Sequence, residues 1–364
     1  MRKTVVILGA SGIVGQSAAE EFLARTDYEV ICVSRRKPDI NSSRVFHHMS
    51  VDLRDEQECQ RIFTDLPQVT HVVYAAVFEK PGLIQGWAEK DQMQTNLQML
   101  RNVLEPLTSV AKGLGHITLL QGTKAYGMHL HPMKIPARER DERDPHQNFY
   151  WLQEDYLREK AGEESFHYTI LRPQLIIGAP YGVAMGLAPV IGAYAAICRE
   201  EGEPFSFPGG PSYVGEAVDA RLVAQVIAWA AEAPQAINQH FNVTNGDVFE
   251  WRNLWPALAE ILGVDTGPDK AISMARYLPE KADVWERIVQ KNGLRPTSIN
   301  DLIGEAHHLA DWCFAYGMAE PPTPAFVSSI KLRQAGFTDV FDTEETFKYW
   351  LANLIKRGVL PAAL

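Results

Sequence analysis

A glycine-rich turn near the start of the chain is the feature that most constrains its fold. A run of aliphatic and β-branched residues, Thr4–Leu8, leads into the segment GASGIVG, and a helical pattern follows over Gly12–Arg25. Gly9 permits a tight turn. Gly12 lets the backbone approach a pyrophosphate at the helix N-terminus, where free amides and the helix dipole favour anions. A strand, a glycine turn and a helix in this order predict a dinucleotide-binding βαβ unit.

The first half of the chain repeats this alternation of short apolar runs and helical patterns. The predicted strands are Thr4–Leu8, Glu29–Val33, Phe46–Val51, His71–Ala75, Ile117–Gln121 and Tyr168–Arg172. The predicted helices are Gly12–Arg25, Glu56–Leu66, Trp87–Ala111 and Phe149–Glu163. Continuous apolar strands are typical of parallel sheets that are covered on both faces. We therefore predict an α/β fold with a doubly wound parallel (Rossmann) sheet.

The pattern changes after Arg172. A segment rich in glycine, proline and alanine is followed by a helical stretch, Val218–Ala233, a strand, Gln239–Val243, and a mostly helical remainder. We predict a dinucleotide-binding Rossmann domain over residues 1–175, with a return segment at about residues 212–248. Residues 176–211 and 249–364 would form a smaller, mainly helical C-terminal substrate lobe.

Charge and composition exclude several classes of partner. A net charge of −10 without long charge runs argues against nucleic acid, which needs a basic face. The chain enters a strand at once, and its apolar stretch Leu175–Cys198 is broken by glycine and proline, so we expect a cytoplasmic protein with no membrane contact. The four cysteines have no metal or redox spacing, and the histidine pairs lack carboxylate partners, so we predict no metal. The sequence is compatible with a homodimer.

The end of the second predicted strand indicates which nicotinamide cofactor would bind. Enzymes that use NAD usually place a carboxylate there for the ribose 2′-hydroxyl, whereas this chain has Ser34, Arg35 and Arg36. Because arginine holds a 2′-phosphate by bidentate, charge-assisted hydrogen bonds, we predict NADPH. The alternative is a solvated basic turn. Asp52, after the third strand, either contacts adenine or caps a helix.

Two tyrosines are candidates for a catalytic role. The glycine spacing, Asp52 and the LRP of Leu171–Pro173 resemble the extended short-chain dehydrogenase/reductases, in which a serine and a Tyr-x-x-x-Lys pair do acid–base chemistry. Tyr156 and Lys160 have that spacing, but Tyr156 continues an apolar helix stripe and is expected to be core. Tyr150 matches the family's position in the first helical turn. Glu154 stands where its lysine should be, and Gly122 replaces the serine.

Lys124, just past the fifth strand, is the alternative partner for Tyr150. The segments Gly122–Gly127 (GTKAYG), Asn148–Tyr150 (NFY), Phe241–Pro256 and Asp342–Leu351 resemble the progesterone 5β-reductase and iridoid synthase-like group. That resemblance implies reduction by NADPH of the C=C bond of an α,β-unsaturated carbonyl compound. Tyr150 would then be the donor to the enolate oxygen, and Lys124 would favour the phenolate or hold the donor network. Trp151 departs from the plant pattern and is expected to alter the pocket.

The sequence thus predicts one set of site residues and leaves two alternative functions open. The expected catalytic residues are Tyr150 and Lys124. The expected cofactor contacts are Gly9, Ser11, Gly12, Ile13, Gly15, Ser34, Arg35, Arg36, Asp52, Leu53, Ala75, Gln121, Gly122, Tyr150, Pro173, Leu175 and Ile176. The partner would be a small-molecule enone. The alternatives are an alcohol dehydrogenase, carbonyl reductase or epimerase that uses Tyr156 and Lys160, and a non-enzymatic NADP sensor.

Overall fold

The computed structural model describes residues 2–295 and 297–363. Residues 1, 296 and 364, which belong to the predicted domain ranges, lie outside the described residues. The strands are β1 Lys3–Leu8, β2 Tyr28–Val33, β3 His47–Met49, β4 His71–Tyr74, β5 His116–Leu120, β6 His167–Pro173, β7 Leu175–Ile177, β8 Phe205–Ser206, β9 Val214–Gly215, β10 Ala217–Asp219, β11 Gln239–Val243, β12 Phe249–Glu250 and β13 Thr266–Gly267.

Thirteen α-helices occur among these described residues, together with short 3₁₀ turns at Gln85–Ala88, Thr123–Tyr126 and Pro234–Ala236. The α-helices are α1 Ile13–Ala24, α2 Glu56–Phe63, α3 Lys90–Val110, α4 Phe149–Glu163, α5 Leu187–Glu201, α6 Ala220–Ala230, α7 Trp251–Leu262, α8 Met274–Glu280, α9 Ala282–Asn292, α10 Ile299–Ile303, α11 Ala306–Cys313, α12 Ile330–Gln334 and α13 Thr343–Lys356.

A seven-stranded parallel sheet forms the centre of the molecule, in the order β11-β6-β5-β4-β1-β2-β3. The order reverses at β1, as in other doubly wound folds. The predicted fold class is therefore confirmed. The third predicted strand is shorter than expected, because β3 lies at the sheet edge and pairs only with β2 along three residues.

Alternate side chains of β1 enter two different cores. Val5 and Ile7 pack with α1 and α6 on one face, whereas Val6 and Leu8 pack with α2, α3 and α4 on the other. This division follows from the two-residue period of a strand, whose successive side chains point to opposite faces. Both faces of the sheet are covered, so the carboxyl ends of the strands are left as the place for a site.

A third core forms in the C-terminal half around α5. Its residues Leu187–Cys198 are buried throughout, and α7 to α11 and α13 contact α5 from several sides. The helix α12 instead packs on β11, with Leu332 in the core that contains α1 and α6. The helical lobe lies next to the carboxyl ends of β1, β4, β5 and β6. A cleft separates the lobe from the sheet.

Candidate active site

The cleft has a volume of about 1470 Å³ and is lined by the turns that follow the central strands and by residues of the helical lobe. This is room for a dinucleotide and a second small molecule. Every residue expected to contact the cofactor lines the cleft except Gly15. On the lobe side, the walls include Met185, Tyr213 and Trp312.

The glycine turn after β1 is shaped by close backbone contacts. Gly9 has a φ of +81°, and a Cβ there would lie 2.8 Å from the backbone of Ala75, which follows β4. Gly12 is the N-cap of α1, and the first turn of that helix carries no acidic side chain. The N-terminal amides of α1 thus face the cleft without a competing carboxylate, which fits a pyrophosphate.

Gly15 packs against the backbone of the glycine turn. It does not line the cleft, and a Cβ at this position would collide with the carbonyl group of Gly9. The third glycine of the motif therefore allows α1 to pack closely on the turn. Its contribution to a ligand would be indirect, through the position of the helix.

The two arginines after β2 are exposed at one end of the cleft. The Oγ of buried Ser34 donates to the carbonyl oxygen of Arg36 at 2.6 Å and fixes this turn. Arg36 Nη2 reaches the lobe and donates to the carbonyl oxygen of Tyr181 at 3.0 Å. The three residues that follow β2, Ser34, Arg35 and Arg36, include no carboxylate, so the turn suits a 2′-phosphate.

Asp52 lies on the neighbouring cleft wall and is not a helix N-cap. That role belongs to Asp55, whose side chain accepts a hydrogen bond from the amide of Glu58 at 2.9 Å. The hydrogen bonds from Arg54 hold the pKa of Asp52 below its usual value, and their ion pair is 2.6 Å long. The helix-cap interpretation of Asp52 is therefore wrong.

Tyr150 is the second residue of α4, and its side chain lines the cleft. The N-cap residue Asn148 accepts a hydrogen bond from the Tyr150 amide at 3.0 Å. A Cβ at Gly122 would lie 3.2 Å from Tyr150 Oη, so the position that carries serine in the larger family adjoins this hydroxyl. The hydrogen bonds of Tyr150 found among the described residues involve its backbone atoms, so its Oη is free to donate into the cleft.

Lys124 lies beside Tyr150 in the 3₁₀ turn after β5. Its Nζ is 5.9 Å from the centre of the Tyr150 ring and 4.1 Å from that of Trp87. Burial raises the pKa of Tyr150, and the carboxylate of Glu79 raises it further. Both effects favour the neutral phenol, which is a hydrogen-bond donor, over the phenolate.

The pair Tyr156 and Lys160, which has the spacing of the standard motif, lies away from the cleft. Tyr156 is buried between α4 and α3 in the core that contains Leu157, and Lys160 pairs with Glu163 at 3.0 Å. Neither residue lines the cleft. Burial raises the pKa of Tyr156, with no lysine among its causes. The structure thus brings Tyr150 together with Lys124 and separates both from the standard motif.

Glu154, which replaces the usual lysine, points into a buried polar network behind the cleft. Gln121 Nε2 donates to Glu154 at 3.0 Å, and Arg172 lies 3.4 Å from the same carboxylate. Trp151 lines a second cavity of about 390 Å³ on that side, not the main cleft. Trp151 is therefore not part of the wall of the main cleft, although it packs with Phe149 and Tyr150 in a small buried cluster.

Glu79 was not singled out from the sequence, although it belongs to the cleft wall. It follows β4, and its Oε1 lies 3.7 Å from Lys124 Nζ. Nothing in its local sequence marks it. The available signal is its position, since residues just beyond the carboxyl ends of parallel strands share one edge of the sheet.

Two negative observations hold for residues 2–295 and 297–363. These residues contain no group of three or more histidine, cysteine, aspartate or glutamate side chains placed to hold a metal ion. Within the same ranges, no helix combines the length and the apolar character that a membrane crossing requires.

Comparison with known proteins places these features in context. Residues 5–244 match the NAD dependent epimerase/dehydratase family. The chain is 35% identical to an (S)-8-oxocitronellyl enol synthase from Nepeta racemosa over 82% of its own length and 79% of the relative's. It is 32% identical to a 3-oxo-Δ(4,5)-steroid 5β-reductase from Arabidopsis thaliana, over 95% and 90% of the two chains.

The fold also resembles solved structures of lower sequence identity. A UDP-glucose 4-epimerase from Thermotoga maritima superimposes with a TM-score of 0.67 at 19% identity, and the match covers 97% of this chain and 99% of that one. At this identity the likeness concerns the fold alone.

Proposed function

The chain belongs to the NAD dependent epimerase/dehydratase family and, within it, to the progesterone 5β-reductase and iridoid synthase-like group, and from this we propose that it reduces the C=C bond of α,β-unsaturated carbonyl compounds with NADPH. A nicotinamide cofactor accords with the family and with the glycine turn. When bound, NADPH supplies a hydride to the β-carbon of the enone. The charge that results develops on the carbonyl oxygen as an enolate.

Tyr150 is the proposed donor to that oxygen. Its neutral hydroxyl faces the cleft, and no hydrogen bond to it is found among the described residues, so it is free to donate a hydrogen bond as the charge grows. A fixed donor of this kind in a site shielded from water typically accelerates a reaction about 100- to 1000-fold. Lys124 adds a positive charge nearby and is held beside the aromatic ring of Trp87.

One observation carries the choice of C=C over C=O reduction. The serine position of the larger family is Gly122, which lies against Tyr150 Oη, and the lysine position is Glu154, which points away from the cleft. The usual relay for alcohol and ketone proton transfer therefore lacks two members. What remains beside the cleft is a donor and a cation, which suit an enolate.

The choice of NADPH over NADH rests on Arg35 and Arg36. Both guanidinium groups lie at the end of β2 on the cleft wall, where a 2′-phosphate would extend from the adenosine ribose. Asp52 is engaged by Arg54, so its charge is already matched. The turn thus offers cations for a phosphate and no carboxylate directed at a 2′-hydroxyl.

The experiment that tests this function is product analysis over a panel of enones. The protein is incubated with NADPH and 2-cyclohexen-1-one or a steroid enone, and products are identified by mass spectrometry. We expect the saturated ketone. An allylic alcohol as the main product would contradict the proposal and favour a carbonyl reductase. Binding of NADPH without turnover of any enone would favour a sensor.

A further inference from the structure

Glu79 is a buried carboxylate with one hydrogen-bonded oxygen, whereas its Oε1 has no hydrogen-bond partner among the described residues. Its side chain is only 3% exposed, and its Oε1 lies 3.7 Å from Lys124 Nζ. The other oxygen accepts a hydrogen bond from Gln92 Nε2 at 2.7 Å. Gln92 is itself buried in the first turn of α3, and its Oε1 accepts from the amide of Lys80 at 3.0 Å. Gln92 therefore fixes one oxygen of the carboxylate, and the other oxygen faces Lys124.

Lys124 depends on this carboxylate for its charge balance. The lysine side chain is 13% exposed and lies against the ring faces of Trp87 and Phe149. In the part of the chain that the structure describes, the other titratable groups that face it are His129 and Tyr150, and Glu79 is the one carboxylate paired with it. An ammonium group buried among aromatic rings without a counterion would be costly.

We propose that Glu79 is a positioning residue whose carboxylate is the counterion that keeps Lys124 charged and directed at the reacting end of the cleft. The pairing stands on the distances and the burial alone. Its consequence for turnover rests on the function proposed above. Burial lowers the pKa of Lys124 and raises that of Glu79, and the charge of each group opposes the effect of burial on the other, which gives the pairing a measurable sign.

The direct test measures the titration of Lys124 without any enone. Competitive acetylation across pH, read by peptide mass spectrometry, reports the pKa of each lysine because only the neutral amine reacts. We expect Glu79→Gln to lower the pKa of Lys124 by about 1 to 3 units, the usual effect of removing an opposite charge at this distance. Glu89→Gln is the matched control, since Glu89 is an exposed carboxylate nearby that pairs with Lys80.

Two results would overturn the proposal. One is an acetylation curve of Lys124 that is the same in wild type and Glu79→Gln. The other is a curve for Glu79→Asp that is no closer to wild type than that of Glu79→Gln, because aspartate keeps the charge. Either result would leave the enone reductase function standing, and a failed enone screen would leave the pairing standing.

Activity gives a second readout. If cationic Lys124 is the active form, kcat/KM falls as pH rises through its pKa. We therefore expect the alkaline limb of the profile to move to lower pH in Glu79→Gln and to stay in place in Glu89→Gln. A uniform loss at all pH values, with an unchanged limb, would indicate a merely structural role and contradict the proposal.

Whether Glu79→Gln folds is a further test of the pairing between Glu79 and Lys124. If Glu79→Gln does not fold, the unpaired Lys124 is the expected cause, and adding Lys124→Met should restore folding because it removes the buried charge. Failure of the double variant to fold would show that Glu79 matters for another reason and would overturn the pairing.

Discussion

Tyr150 and Tyr156 occupy the same helix but different environments, so single substitutions separate their roles. We expect Tyr150→Phe to lower kcat for enone reduction about 100- to 1000-fold, because it removes the donor to the enolate. Tyr156→Phe should change kcat less than about twofold and leave stability unchanged or higher, since its buried Oη has no hydrogen-bond partner among the described residues. Steady-state kinetics and thermal melts measure both, and the reverse ranking of the two variants would support the Tyr156–Lys160 alternative.

The closeness of the Tyr150 side chain, and not the backbone conformation, favours glycine at position 122. Its φ of −177° is extended and open to any residue, but a Cβ would lie 3.2 Å from Tyr150 Oη. We expect Gly122→Ser to displace the hydroxyl and lower kcat about tenfold or more. Gly162→Ser, at the end of α4 with no atom within 4 Å of its Cβ position, is the control. Full activity of Gly122→Ser would show that the hydroxyl is not positioned by this contact.

Arg35 and Arg36 should decide between the two nicotinamide cofactors. We expect Arg35→Ala and Arg36→Ala each to weaken NADPH binding roughly 10- to 100-fold, the range for hydrogen bonds to a charged group, and to leave NADH binding unchanged. Fluorescence titration with both cofactors measures the effect, and Lys37→Ala, next to them and also exposed, is the control. Equal losses for NADPH and NADH would contradict a contact with the 2′-phosphate.

Among the elements, some boundaries could be predicted from the sequence and others could not. The strand Gln239–Val243 was predicted with its observed limits, whereas the helix expected over Trp87–Ala111 begins at Lys90. The difference arises because Gln85–Ala88 form a 3₁₀ turn, and the Gln92 side chain hydrogen-bonds back to the amide of Lys80. That bond joins positions twelve residues apart, so no local pattern could indicate it.

The start of α4 links the two proposed catalytic residues. Asn148 accepts from the amide of Tyr150 through Oδ1, and its Nδ2 donates to the carbonyl oxygen of Lys124 at 3.3 Å. We expect Asn148→Ala to cost about 1 kcal/mol of stability, as for other lost N-caps, and also to lower kcat several-fold. Urea unfolding and kinetics measure the two effects.

A second helix cap provides the control for Asn148. Asp342 caps α13 through a hydrogen bond from the amide of Glu345 at 2.9 Å, away from the cleft. We expect Asp342→Ala to lose a similar stability and to keep its kcat. If both variants lose kcat equally, the activity loss would reflect general destabilisation and not the position of Tyr150 and Lys124.

Across the whole molecule, several of the expected site residues are carried by local motifs. Gly9, Arg35, Gly122 and Tyr150 each stand in a short recognisable segment, and all of them line the cleft. Glu79 was missed because its significance arises only when the turns after β4 and β5 meet, 45 residues apart in sequence (124 − 79). Gly15 and Trp151 do not line the cleft, because the part of a helix that faces a cleft depends on how that helix packs.

Glu154 shows the same dependence on tertiary structure, because it joins three elements of the Rossmann domain. Its buried carboxylate contacts Gln121 after β5, Arg172 in β6 and His240 in β11. Burial alone would raise the pKa of Glu154, but the contacts with His240, Gln121 and Arg172 outweigh it and hold that pKa well below its usual range. The carboxylate therefore stabilises the fold in its charged form.

The sign of the pH dependence follows from this lowered pKa. Between the folded and unfolded pKa values the unfolded chain binds more protons, so the contribution of Glu154 is complete above about pH 4.5 and is lost as pH falls. We expect Glu154→Gln to lower the free energy of unfolding by about 3 kcal/mol at pH 7, as when one partner of a buried ion pair is removed. Urea unfolding from pH 7 to pH 3 should show that difference shrink below pH 4.5. Glu163 is an exposed carboxylate at the end of the same helix, and the free energy of unfolding of Glu163→Gln should differ little from that of wild type at any pH. If the difference in free energy between wild type and Glu154→Gln is constant with pH, Glu154 contributes through packing and not through its charge.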